Sequence, residues 1–305
     1  QVGNGHMAPD TSCVGYPGPT VLAQSWNKVL AYMYGKSEGN DMGPAGKDAL
    51  YSPATNIHRS NYGGRNNGYQ SEDPLLAGQM IAQVVRGLGV YGRTTFVKHF
   101  AFNDQDFNRM ALFTWMTEQT AREIYLRSFE EVIKVGDSTG IMTSFNRIGG
   151  IWTGGNEALI QGILRREWGF NGQIITDMTE NKTNMDIGFG LRAGGNINLG
   201  GGSTVAASIG TADTTPMRLQ NRMREAIHQI AYSYTHALWK NETYNESADP
   251  SEAVIVYEAK QSYQWWKPAL LSIDFFAYGG LAIGLVACGV GIAKAVITMT
   301  KKEEA

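Results

Sequence analysis

The chain of 305 residues has only two cysteines, Cys13 and Cys288, at opposite ends, so no disulfide framework can hold it together. Lysine plus arginine number 26 against 28 acidic residues, a net charge of −2. That balance offers no basic surface for nucleic acid. The five histidines form no HxxxH or HxH pair, and the carboxylates lack a metal-loop spacing, so no metal site is expected. No GxGxxG or Walker A stretch follows any apolar run, and no other signature of a cofactor is present. The chain opens on Gln1 with no signal-peptide pattern, which suggests a processed or truncated start.

What the chain does have is glycine, 37 residues, and an ordinary globular share of hydrophobic residues, 43%. Helical patterns over 20–36, 74–89, 118–135, 156–168 and 216–239 alternate with short apolar runs. These runs are DALYS (48–52), TTFVKHF (94–100), GIMTSFN (140–146), QIITDM (173–178) and NINLG (196–200). Such alternation predicts βαβ units and a parallel sheet. Several runs end in groups that a core excludes: Lys98 and His99, Asn146 and Arg147, Asp177. Polar strand ends gathered on one face describe the mouth of a (β/α)8 TIM-type barrel rather than a doubly wound sheet with its single ligand crevice. With five strands in view, the barrel is expected to be incomplete at its N-terminus, over 1–240. Residues 241–268 read as a polar linker or stalk.

Residues 275–293, FFAYGGLAIGLVACGVGIA, are uncharged. As a helix they would extend roughly 28 Å, near the thickness of a bilayer core. Tyr263, Trp265 and Trp266 precede the run, and Lys294, Lys301 and Lys302 follow it. A single transmembrane helix within 269–300 is expected, with a charged tail at 301–305, the barrel outside the cell membrane and the lipid bilayer as a partner. The alternative is a buried core helix. Gly280 and Gly284 form one GxxxG pair that could mediate a helix dimer.

Asp177, at the tip of QIITD, could serve as nucleophile, base or metal ligand, or simply cap the next helix with Glu180 in capping-box form. Lys98 and His99 would put two donors beside it, an arrangement suited to a substrate rich in hydroxyls.

Five stretches in order, NIHRSNYGGRNNGYQSEDP (56–74), VKHFAFNDQDFNR (97–109), IMTSFNRIGG (141–150), LRREWGFNGQIITDM (164–178) and AGGNINLG (193–200), resemble the catalytic barrel of glycoside hydrolase family 3, of the β-glucosidase type. The resemblance covers about 16–240. It implies a retaining exo-β-glycosidase acting on a carbohydrate substrate, with Asp177 as nucleophile. It also implies that Arg65, Lys98, His99 and Phe145 bind the sugar. Asn103, Asp104 and Arg109 would hold the loop and its cations in place. The acid/base glutamate would come from an α/β sandwich domain, encoded upstream in a permuted order or absent. In the latter case the barrel would bind glycans without cleaving them. The chain departs from the family at Asn67 and Gly68, where Phe-Glu is usual, and at Asn196, where an aspartate is expected.

Overall fold

The computed structural model describes residues 2–3, 15–179, 185–200 and 217–240. The chain divides into two compact units, Gln1–Tyr257 and Glu258–Ala305, and every described residue belongs to the first. The expected span at 275–293 and the whole of the expected linker, 241–268, lie outside the described residues. Among the described residues no helix is long and apolar enough to cross a membrane.

All five expected strands form, as Ala49–Tyr51, Thr94–Thr95 continuing into Val97–Phe100, Gly140–Thr143, Gln173–Met178 and Ile197–Leu199. A further short strand, Val2–Gly3, runs parallel to Ala49–Tyr51. The sequence reading had no strand there. Each strand pairs in parallel with the next one in the chain, and an Ala54–Lys98 bridge links Ala54, just past the Ala49–Tyr51 strand, to the Val97–Phe100 strand. A doubly wound sheet would reverse direction at a switch point, whereas this chain-order pairing is that of a barrel wall.

Alternation along the strands separates two cores. Phe96, Met142 and Ile175 face inward with Ala49, Tyr51, Ile197 and Leu199. Their neighbours Val97, Ile141 and Ile174 face outward, against Ile81 and Val85 of helix Pro74–Gly89, Phe129 and Val132 of Arg127–Lys134, and Ile160 and Leu164 of Ala158–Glu167. Helices Lys28–Met42 and Pro74–Gly89 pack at backbone distance because glycine faces the partner on both. A Cβ at Gly35 would lie 2.0 Å from the Val84 carbonyl, and one at Gly87 2.2 Å from that of Tyr32.

The expected helix over 20–36 is two helices, Pro19–Gln24 and Lys28–Met42. Trp26 takes a positive φ of 51° between them, and Asn27 caps the second by accepting from the amides of Val29 and Leu30. The stretch 118–135 forms a helix interrupted by a π-type turn at Ala121–Tyr125. Ile187–Ala193 is a helix that the sequence pattern did not suggest, capped by Asp186. It is the first described helix after Asp177, so Asp177 caps no described helix.

Candidate active site

The strands end on one side in the polar residues singled out above. The Val97–Phe100 strand is buried along its whole length, including Lys98 at 6% exposure and His99 at 3%. Two side chains fix it from the neighbouring segment and from the loop beyond. Asn56 accepts from the His99 amide (2.8 Å) and donates to the His99 carbonyl (3.1 Å), which continues the ladder begun by the Thr55 amide on the Lys98 carbonyl. Tyr69 donates its hydroxyl to the Asn103 carbonyl (2.7 Å) and accepts from the Asn103 side-chain amide (3.0 Å). The same hydroxyl lies 3.4 Å from His99 Nδ1. Its proton is already given to Asn103, so the contact is satisfied when Nδ1 carries the imidazole proton. Nε2 is then left as an acceptor facing the mouth.

Asp177 sits opposite. His99 Nε2 is 3.7 Å from Asp177 Oδ2, and Asp177 Oδ1 accepts from the Met178 amide at 2.8 Å. The His99–Asp177 pair is not an ion pair. Burial, together with the charges of Lys98, Arg65 and Arg109, holds the imidazole well below its usual pKa and therefore neutral. Burial likewise pushes the Lys98 ammonium down to about 8, with Asp177 opposing the shift and Arg65 adding to it. A carboxylate, a neutral imidazole acceptor and a buried lysine thus converge at the strand ends.

Arg65 follows Gly64, whose φ of +81° suits glycine at the turn that presents the guanidinium. Arg65 Nε donates to Asp106 Oδ1 at 2.9 Å, and Arg109 Nη1 approaches the same oxygen at 2.6 Å. The second contact has the distance of an ion pair, but the Nη1 hydrogens are not aligned on the oxygen, since that nitrogen has no geometrically sound hydrogen bond. The Arg109 guanidinium also lies 4.4 Å above the Phe145 ring, which packs with Trp152 and Met185. Asp104 accepts from the Ile57 amide at 2.8 Å, and burial raises its carboxyl to about 7. The structure therefore gathers Lys98, His99, Asp177, Arg65, Arg109 and Phe145, and places Asn103 and Asp104 behind them on main-chain and tyrosine partners.

Sequence reasoning passed over Asn56, Tyr69 and Asp106. Tyr69 closes the GRNNGY stretch and Asp106 lies in the polar run 103–109, so both were in view without a role. Asn56 had no signal beyond being a polar residue past a strand end.

Residues 4–206 match the N-terminal domain of glycosyl hydrolase family 3. The chain belongs to that family. Similar relatives of this family 3 domain include β-glucosidase A of Butyrivibrio fibrisolvens, 36% identical over 205 residues, which are 65% of this chain and 24% of that protein. An exo-α-(1→6)-L-arabinopyranosidase of Bifidobacterium breve is 30% identical over 250 residues, 81% of this chain and 32% of that protein. Among solved structures, β-glucosidase 3B from Thermotoga neapolitana in complex with glucose superposes with a TM-score of 0.66 at 30% identity, covering 81% of this chain and 36% of that one. The family 3 domain has the TIM-like α/β fold of such neighbours, and it spans between a quarter and little more than a third of the length of these relatives.

Proposed function

We propose that this family 3 domain carries the sugar site of a retaining exo-β-glycosidase, most simply a β-glucosidase, with Asp177 as the nucleophile that attacks the anomeric carbon. The observation that carries the reading is the facing of Asp177 by a neutral His99 at 3.7 Å, with the Lys98 charge nearby. A pyranose presents hydroxyls that both donate and accept. His99 Nε2 accepts from one, the Lys98 ammonium and the Arg65 guanidinium donate to others, and charge-assisted bonds hold the ring in one orientation. Phe145, whose ring lies 4.4 Å beneath the Arg109 guanidinium, offers an apolar face to the sugar. Asn103, Asp104 and Arg109 position rather than touch the sugar. The β-glucosidases among the relatives support glucose, and the arabinopyranosidase shows a relative named for a different pyranose.

Asp104 is buried behind the site on the Ile57 amide, at 5% exposure, and Asp106 is held by the two arginines, so neither is placed to give a proton to the leaving group. That donor is assigned to a glutamate on a companion α/β sandwich domain. The uncharged run 275–293 supports a further element of the proposal, a tether holding the domain at the outer face of the cell membrane.

Calorimetry with glucose tests the site. The Asp177→Asn variant should keep its affinity, because the amide has nearly the shape of the carboxylate. Lys98→Ala should weaken binding by about 2 kcal/mol, the loss of one charge-assisted bond. Equal binding by wild type and Lys98→Ala would refute the site.

A further inference from the structure

A cavity of about 30 Å³ lies where helices Pro19–Gln24, Lys28–Met42 and Pro74–Gly89 meet the stretch just past strand Ala49–Tyr51. That volume holds about two water-sized bodies. Leu22, Ile81 and Val84 give it apolar walls, and Glu38, Ser52 and Gln70 add oxygen atoms to the lining. No lysine or arginine lines it. Gly68, at its edge, is only half-buried, and a Cβ there would meet nothing within 4 Å, so the cavity opens towards solvent on that side.

Glu38 is an acid in an unusual place. It is 3% exposed, and among the described residues its carboxyl has no hydrogen-bond partner and no cation beside it. Burial, with the Asp41 charge adding to it, raises the group to about 7. Gln70 is equally buried, at 3% exposure, and its Oε1 has no hydrogen-bond partner among the described residues. Each stranded oxygen costs stability unless something in the cavity satisfies it. The nearby hydroxyls do not. Tyr16 donates to Asp41 Oδ2 at 2.8 Å, and Tyr34 donates to the Pro17 carbonyl at 3.3 Å rather than to Glu38.

We propose that this cavity binds a monovalent alkali cation, held by the Glu38 carboxylate and by oxygens of Gln70 and Ser52. The ion would tie helix Lys28–Met42, which carries Glu38, to the turn 65–70, which carries Arg65 and Tyr69. One lining carboxylate balances one charge. Calcium takes six to eight oxygens and magnesium keeps several waters, and a cavity of about 30 Å³ has no room for either shell. Water alone would satisfy Gln70 and leave Glu38 to take up a proton. The other titratable groups around Glu38 are Asp41 and Tyr34 on its own helix and Tyr16 on the segment before it. The strand end, the turn and helix Pro74–Gly89 face the cavity with Ser52, Gln70, Ile81 and Val84, none of which titrates. The inference is independent of the sugar site.

Thermal melts of the full chain test the site. Tetramethylammonium chloride is replaced stepwise by sodium or potassium chloride at constant ionic strength, so that screening is unchanged and only an ion small enough for the cavity is gained. At pH 8 one of the alkali ions should raise Tm in a saturable way, by about 4 °C once it exceeds its Kd tenfold. At pH 5, below the value of about 7 for Glu38, the carboxyl is protonated and the rise should be absent. Glu38→Gln should abolish the rise at pH 8, and Gln70→Leu should demand more salt for the same rise. Should Glu38→Gln fail to fold, the pH 5 melt and Gln70→Leu still decide. Equal Tm in tetramethylammonium and in both alkali chlorides overturns the site and leaves water in the cavity. A rise that persists in Glu38→Gln or at pH 5 places the ion elsewhere on the protein and overturns it as well. A larger rise with micromolar calcium chloride overturns the choice of a monovalent ion.

Discussion

Asn56 sets the height of His99 at the mouth, and its replacement should be costly. Its side chain is 1% exposed and makes two hydrogen bonds to the main chain of His99, at 2.8 and 3.1 Å. Asn56→Ala removes both and leaves a buried amide and a buried carbonyl without partners. Each lost bond is worth about 1 kcal/mol, and each stranded group adds to the loss, so about 3 kcal/mol of stability should go. For a domain of this size that lowers Tm by roughly 10 °C. The freed strand end should also weaken glucose binding. Asn56→Asp gives a sharper test. Its carboxylate can still accept from the His99 amide, but it points its second oxygen at the His99 carbonyl. Burial and that repulsion raise the folded-state pKa above the unfolded value of about 3.9, so the penalty is present above that value and vanishes once acid protonates both states. Thermal melts of the three proteins at pH 4 and pH 7.5 should show Asn56→Asp close to wild type at the lower pH and well below it at the higher. A shift in Tm of less than about 2 °C for Asn56→Ala would refute the idea that Asn56 holds His99.

Asp104 and Lys98 give two further expectations. Burial holds Asp104 at about 7 in the folded state, so ionisation of the unfolded chain costs the native protein stability as pH rises from about 4 to 7, and the cost is constant above that. Asp104→Asn keeps an oxygen for the Ile57 amide, so the variant should be more stable than wild type at pH 8 and indistinguishable near pH 4; a less stable variant at pH 8 would mean that Arg59 already compensates the charge. Burial lowers Lys98 to about 8, so glucose affinity should fall as pH passes through that value, and the fall should be absent in Lys98→Ala. An equal decline in both proteins would assign the titration to another group.

The barrel was legible because its signals are local. β-Branched and aromatic runs ending in polar groups mark strands at any depth in the chain, and all five such runs formed strands. What stayed hidden depends on long-range partners or on very short elements. Phe113–Thr114, Arg147–Ile148 and Ile151–Trp152 are two residues each, too short to show a period. Ile187–Ala193 carries two glycines in seven residues, which weakens the helical pattern that Asp186 nevertheless starts. The break at Trp26 lies inside a continuous apolar periodicity, and only the capping asparagine after it hinted at a new helix. At the site, Lys98, His99, Arg65 and Asp177 stood out as polar groups in or beside apolar runs or in a recognisable motif. Asn56 and Tyr69 act on residues 43 and 34 positions away, and no sequence pattern records that distance.

The central claim is that Asp177 is the nucleophile. Incubation of the intact protein with a 2-deoxy-2-fluoro β-glucoside bearing a good leaving group traps the glycosyl-enzyme, because fluorine at C2 slows its hydrolysis. Proteolysis and mass spectrometry should then find the fluorosugar on Asp177, within the peptide that contains QIITDM, and find none on the Asp177→Asn variant. An adduct on another carboxylate, or release of the leaving group by Asp177→Asn at the wild-type rate, would contradict the account.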